Sequence, residues 1–165
     1  MSKRLAAYVS AVSLFLLGMF ASASAQTTSS ACNDTLIAGT YGFNIQGTKL
    51  GGMGPVGQQV GVAMTTFDGI GGFSQIDTVT VAGTVVADFT HTPASGTYTV
   101  NHDCTGTFTI NFTDGRPPVV TNFVVVANGN EIDTVVTSAG GAQGVIAVGS
   151  VGKRRFSKRS TWISK

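Results

Sequence analysis

Turn sequences containing glycine interrupt this chain at short, regular intervals, and they constrain its fold more than any other feature. From Gly39 onwards, apolar runs alternate with breaks such as Asp68-Gly69 and Asn128-Gly129, roughly every ten residues. Asp-Gly and Asn-Gly favour tight hairpin turns because these turns need positive φ angles. No amphipathic pattern with a helical period follows Gln26. The sequence therefore predicts an all-β domain of about eight or nine short strands.

Within the predicted strands, apolar and polar side chains alternate. Tyr41, Phe43 and Ile45 share one face of the first strand. The clearest hairpin surrounds Cys104, with a predicted strand break before it at Pro93–Gly96. Aromatic and aliphatic side chains share one face of this hairpin and threonines cover the other, as a half-buried antiparallel sheet requires. The two sets are Tyr98, Val100, Phe108, Ile110 and Phe112 on one face, and Thr97, Thr99, Thr107 and Thr109 on the other.

The short connections favour an up-and-down arrangement, in which strands that are consecutive in the chain are neighbours in the sheet. Only 11% of the residues are charged, which argues against a coiled coil or a helical bundle. About eight strands suit a small closed barrel, which leaves no sheet edge exposed. We therefore expect one antiparallel β-barrel over residues 26–152, with a β-sandwich as the alternative.

The N-terminal segment has the pattern of a cleaved signal peptide, predicted over residues 1–25. Lys3 and Arg4 precede an uncharged apolar stretch, and Ala23-Ser24-Ala25 supplies the small residues that signal peptidase requires. The mature chain is predicted to begin at Gln26. We expect an exported protein, either periplasmic or extracellular.

Export changes the interpretation of the two cysteines, Cys32 and Cys104, which are the only ones in the chain. Two thiols outside the cytoplasm usually oxidise, so a structural disulfide between them is predicted. There is no Cys-x-x-Cys spacing, and the two histidines add no obvious further ligands. Neither a metal site nor a cofactor is expected.

Three segments together resemble a group of small exported bacterial proteins of unknown function. They are Gly39–Phe43, Phe67–Gly72 and Gly96–Thr107, the last of which contains the run Tyr-x-Val-x-x-Asp-Cys-Thr-Gly. The resemblance extends from about Cys32 to Val151. By general shape that group is similar to lipocalin-like and allene oxide cyclase-like barrels, which implies a barrel fold and names no catalytic residue.

Several polar residues fall where the alternation points into the barrel. Gln75 and Asp77 share a face with Phe73 and Val79, and Asn122 interrupts a long apolar run. A few polar groups in a mostly apolar lumen are typical of a ligand site. The predicted ligand-binding residues are Tyr41, Phe43, Gln75, Asp77 and Asn122. The alternative is a bulge or a register error that leaves Gln75 and Asp77 in solvent.

The glycine-rich segment Lys49–Pro55 joins two predicted strands. One interpretation is that it gates the mouth of the barrel, with Leu50 and Met53 touching a ligand. The other is that it is a flexible connection only.

No catalytic constellation is evident. His91 is predicted to be a surface residue, and Asp103, next to His102, is predicted to form turn hydrogen bonds. Nucleophile-elbow, phosphate-loop and paired-carboxylate motifs are missing from the sequence. We therefore assign no catalytic residues.

Charge is distributed unevenly along the chain. Between residues 26 and 152, Lys49 and Arg116 are the only cations, against all 8 acidic residues. The predicted C-terminal tail, residues 153–165, is basic, and we expect it to be a solubilising tail. The alternative is that it contacts an anionic envelope surface. The cations assigned to that contact are Lys153, Arg154, Arg155, Lys158 and Arg159.

These features favour a non-enzymatic exported barrel that binds a small apolar ligand or serves as an envelope component. One alternative is an isomerase similar to the barrel cyclases, which acts through the shape of its cavity. Another is a structural or adhesive surface protein, since threonine-glycine strands suit that role as well. No specific nucleic-acid binding is expected, and the sequence leaves the oligomeric state open.

Overall fold

The computed structural model describes residues 31–89, 93–139 and 145–155. Within these ranges the chain forms nine strands and two short 3₁₀ helices, Asp34–Ile37 and Ala127–Gly129, and no helix is long and apolar enough to cross a membrane. The predicted signal peptide, His91, and the tail from residue 156 lie outside the described residues. The strands are β1 (Gly39–Lys49), β2 (Gly57–Phe67), β3 (Gly72–Val81), β4 (Thr84–Ala87), β5 (Ala94–Val100), β6 (Thr105–Phe112), β7 (Val119–Val126), β8 (Glu131–Ala139) and β9 (Ile146–Arg154).

The strands close into an eight-stranded antiparallel barrel with one additional strand. Each barrel strand pairs with the next in the chain, and the pairing of β9 with β1 closes the ring. Along one edge of β3, β5 pairs with Gly72–Gln75, and β4 pairs with Val79–Val81 as the additional strand. The predicted up-and-down barrel is confirmed, and the alternative of a sandwich is wrong.

Aromatic side chains fill one end of the barrel. The Phe67 ring is at the centre, 5.6 Å from Tyr41 and 5.0 Å from Tyr98 between ring centroids, edge to face in both cases. Phe73 and Phe108 complete this aromatic cluster, at 5.6 and 6.3 Å from Phe67. Edge-to-face pairs stabilise by about 0.5–1.5 kcal/mol beyond the burial of their area. This end of the barrel is therefore a packed core.

The segment before β1 covers the aromatic cluster. Ile37, in the first 3₁₀ helix, is completely buried there, and the Asp34 carboxylate accepts a hydrogen bond from the backbone N–H of Val100 (2.7 Å). Cys32 is disulfide-bonded to Cys104 in the β5–β6 turn, with 5.0 Å between their Cα atoms. The predicted disulfide is confirmed. Closing a loop with a sequence separation of 72 residues stabilises by about 4 kcal/mol on the chain-entropy model.

Arg154, at the end of β9, joins the covering segment to the barrel. Its guanidinium donates to the carbonyls of Leu36 (2.6 Å), Gly129 (3.0 Å) and Ala38, and its Cζ lies 4.9 Å from the centroid of the Tyr41 ring. The Tyr41 hydroxyl also donates to the Gly129 carbonyl. Burial raises the pKa of Tyr41 to about 12, an effect that the charge of Arg154 opposes. Arg154 thus helps to close the end of the barrel that the aromatic cluster fills, which is called the closed end below.

Val60, Val62 and Met64 of β2 are exposed on the outside of the barrel. One strand boundary differs from the sequence interpretation. The break predicted at Pro93–Gly96 is wrong, because β5 begins at Ala94. Gly96 is needed here for close packing, since a Cβ atom would lie 1.8 Å from the Thr109 carbonyl oxygen and 2.6 Å from the Phe73 ring.

Candidate functional site

Opposite the aromatic cluster, the barrel opens into a cavity of about 390 Å³. This volume is near the lower end of the range for small-molecule pockets. Phe43 and Phe108 form its inner end, because Phe108 belongs to the aromatic cluster and the Phe43 ring lies 6.3 Å from that of Tyr41. The rest of the wall is mostly apolar and includes Ile45, Val79, Ile110, Val119 and Val148.

Strand direction determines which residues reach the mouth of this cavity. β1 starts next to the 3₁₀ helix of the closed end and finishes at Lys49. β6 starts beside the disulfide and finishes at Phe112. The β1–β2 and β6–β7 connections therefore lie at the open end, and Met53, Pro55 and Arg116 from these connections line the cavity.

A chain of buried polar side chains forms part of the wall. The Thr65 hydroxyl donates to Gln75 Oε1 (2.9 Å), and Gln75 Nε2 donates to Asp77 Oδ2 (3.2 Å). All three residues are buried, and Gln75 and Asp77 line the cavity. Buried polar groups that bond one another in this way are held in fixed positions. The cavity therefore has an oriented polar strip on one side.

Two cationic side chains stand at the mouth. Lys49 is only 9% exposed, and its ammonium donates to the Met53 carbonyl. Arg116 Nε lies 2.7 Å from Asp114 Oδ2, and its guanidinium carbon is 4.1 Å from the centroid of the Phe112 ring. Arg116 Nη2 is buried and has no hydrogen-bond partner among the described residues. The mouth thus combines apolar surface with positive charge.

The structure brings together three of the five predicted ligand-binding residues: Phe43, Gln75 and Asp77 line the cavity. The alternative that Gln75 and Asp77 face solvent is wrong. Tyr41 is completely buried in the aromatic cluster and does not line the cavity. Asn122 is exposed on the outside of β7, between the inward-facing Thr121 and Phe123, so its predicted placement in the lumen is wrong.

Sequence reasoning missed several residues of the wall. Ala63, Phe108 and Thr121 line the cavity but carry no chemical signature in the sequence. Lys49 and Arg116 did carry a signal, because they are the only cations between residues 26 and 152. Of the two apolar residues in the Lys49–Pro55 segment, Met53 lines the cavity, whereas Leu50 is exposed and is not part of the lining.

The β5–β6 turn serves a structural purpose. Asp103 accepts hydrogen bonds from the Thr105 hydroxyl (2.7 Å) and the Thr105 backbone N–H (3.0 Å), and these bonds hold the pKa of the Asp103 carboxyl below its usual value. The predicted turn hydrogen bonds are confirmed. His102 beside it is exposed, and no group of three or more metal-ligating side chains occurs in the described part of the chain.

Two of the cations assigned to the basic tail lie in β9. Lys153 is exposed and lies 3.5 Å from Glu131, between Nζ and Oε2, and Arg154 belongs to the closed end. Arg155 is exposed and follows the strand directly. Contact between the tail and an anionic envelope surface stays a prediction.

No protein-family model matches the chain, and no curated protein matches it. The barrel agrees with the fold that the family resemblance implies. Membership of that family stays a prediction.

Proposed function

We propose that this protein is a non-enzymatic binding protein, whose ligand is a small, mostly apolar molecule held inside the barrel. The observation that carries the proposal is the cavity of about 390 Å³, open at one end and closed at the other by the aromatic cluster. An open mouth lets a ligand enter, and a packed far end gives the site a fixed depth. Because the wall is mostly apolar, replacing the water there with an apolar ligand lowers the free energy of the system.

The polar strip supports binding of a specific ligand. Gln75 and Asp77 are fixed by their hydrogen bonds along one side of an otherwise mostly apolar wall. A small number of fixed polar groups orients a ligand that apolar contact alone would hold loosely.

Methyl NMR tests the proposal, because valines on the outside of the barrel serve as an internal control for those that line the cavity. Val79 and Val148 line the cavity, whereas Val62 and Val151 are exposed on the outside. Titration with the neutral apolar dye N-phenyl-1-naphthylamine is expected to shift the methyl signals of Val79 and Val148 in a saturable manner, since the dye's rings would lie beside them. The signals of Val62 and Val151 are expected to stay in place. Equal shifts in both pairs, or no saturable shift, would contradict binding inside the barrel.

We propose further that the protein works outside the cytoplasm. The disulfide between Cys32 and Cys104 supports this location, because such bonds persist in oxidising compartments. The intact mass of chain recovered from the periplasm or the medium is expected to correspond to a start at Gln26 with the disulfide formed. The Ala25→Arg variant is expected to remain uncleaved. Recovery of the unmodified chain in the cytoplasm alone would contradict export.

A further inference from the structure

The two cations of the acidic barrel region lie together at the mouth of its cavity. Between residues 26 and 152 the chain has only Lys49 and Arg116 as cations, and both line the cavity. The same region contains all 8 acidic residues, of which Asp77 alone lines the cavity in the described part of the chain. The acidic domain therefore places both of its cations at one opening, where Arg116 pairs with Asp114 and Lys49 has no ion pair among the described residues.

The surroundings of each cation equip it to bind an anion. Lys49 is almost fully buried and donates to one backbone carbonyl, that of Met53, so an ammonium with three donors is held at the wall. Arg116 is fixed through Nε by Asp114 and lies against the Phe112 ring, while its buried Nη2 has no partner among the described residues. A buried N–H group without a partner is rare in folded proteins, and a ligand oxygen would satisfy it.

Both cations lie far from the inner end of the cavity. Lys49 is six residues beyond Phe43 on the same strand, about 20 Å of extended chain. Arg116 follows Phe112, the last residue of β6, in the β6–β7 connection. An anionic group is attracted to the mouth, while the apolar inner end suits an apolar group.

We propose that the ligand is an amphipathic anion, a single apolar chain or ring system with one terminal carboxylate. It enters with its apolar part first and leaves the carboxylate at Lys49 and Arg116. This inference rests on the proposed function, because it names the ligand class of the same cavity. Charge-assisted hydrogen bonds from an ammonium and a guanidinium are stronger than neutral ones.

Three probes with the same twelve-carbon chain separate the contribution of the head group to the affinity from that of the chain. They are dodecanoate, dodecanol and dodecylammonium. Each is used to displace N-phenyl-1-naphthylamine from the full-length mature protein at neutral pH. Dodecanoate is expected to bind at least about tenfold more tightly than dodecanol, and dodecylammonium more weakly than both. Raising the ionic strength is expected to weaken the binding of dodecanoate and to leave that of dodecanol unchanged.

Charge-removing variants locate the effect. The double variant Lys49→Gln/Arg116→Gln is expected to reduce dodecanoate affinity to that of dodecanol without weakening dodecanol. Lys49→Arg and Arg116→Lys, which keep the charges, are expected to retain most of the preference. Lys153→Gln is the matched control, since it removes one cation from the outside of β9, where the side chain is 75% exposed. Thermal unfolding followed by circular dichroism shows whether each variant is folded.

The outcomes distinguish this inference from the proposed function. If the dye does not bind and none of the three probes shifts the methyl signals of Val79 and Val148, the proposed function fails. If all three bind with equal affinity, the cavity binds apolar chains but the assignment of an anionic ligand is wrong. Tightest binding of dodecylammonium would show that Asp77 dominates the cavity and would overturn the inference. If Lys153→Gln loses the preference for dodecanoate, that preference arises from the net charge of the protein, and its assignment to Lys49 and Arg116 is wrong.

Discussion

Replacing Phe67 with alanine is expected to lower the free energy of unfolding by about 4 kcal/mol, a large part of the total for a domain of this size. The Phe67 side chain is 2% exposed, and its ring makes edge-to-face contacts with Tyr41 and Tyr98. Truncation removes those contacts and leaves a space that the surrounding β-strands cannot close. Equilibrium denaturation with urea, followed by near-ultraviolet circular dichroism of the tyrosines, measures the change.

The matched control for this prediction is Ile70→Ala. Ile70 lies in the turn that follows β2 at the same end of the barrel, but 85% of its side chain is exposed. Its truncation is expected to change the free energy of unfolding by less than about 0.5 kcal/mol. A loss below about 1 kcal/mol for Phe67→Ala would contradict the account of the closed end as a tightly packed core.

Much of the barrel is predictable because its signals are local. Strand alternation in the β5–β6 hairpin and the Asp68-Gly69 turn depend on a few neighbouring residues. In the structure, Asp68 Oδ1 accepts hydrogen bonds from the backbone N–H groups of Ile70 and Gly72, as such a turn requires. The error at Gly96 arose because a glycine that breaks a strand and one that permits close packing look alike in sequence. Only the position of the Thr109 carbonyl across the sheet distinguishes them.

The candidate site is only partly predictable, because a cavity is made by residues far apart in the chain. Gln75 and Asp77 are identifiable from their alternation with apolar neighbours on one strand. Asn122 breaks an apolar run on β7 in the same manner, but that strand is apolar on both faces, so the pattern does not indicate which face is inside. The charge count singled out Lys49 and Arg116, and it took the direction of the strands to place both at the mouth.

Filling the cavity with Ala63→Trp is expected to weaken binding of N-phenyl-1-naphthylamine by at least about a hundredfold, because ligand pockets enclose most of the ligand surface. Ala63 is 5% exposed and faces the cavity from β2, with Phe43 and Asp77 as its cross-strand neighbours. An indole at this position would extend into the space assigned to the ligand. Ala63→Leu is expected to give an intermediate loss, so that affinity follows the volume that is filled.

The adjacent residue on β2 supplies the control for the measurement that tests the central claim most directly. Val62 is 51% exposed on the outside, so Val62→Trp adds an indole to the same strand without entering the cavity. Fluorescence titration of the three folded variants beside the unmodified protein compares their dissociation constants for the dye. The account predicts tight, saturable binding for the unmodified protein and Val62→Trp, weaker binding for Ala63→Leu, and loss of binding for Ala63→Trp. Equal affinities for Ala63→Trp and Val62→Trp would contradict it, because the ligand would then lie outside the barrel.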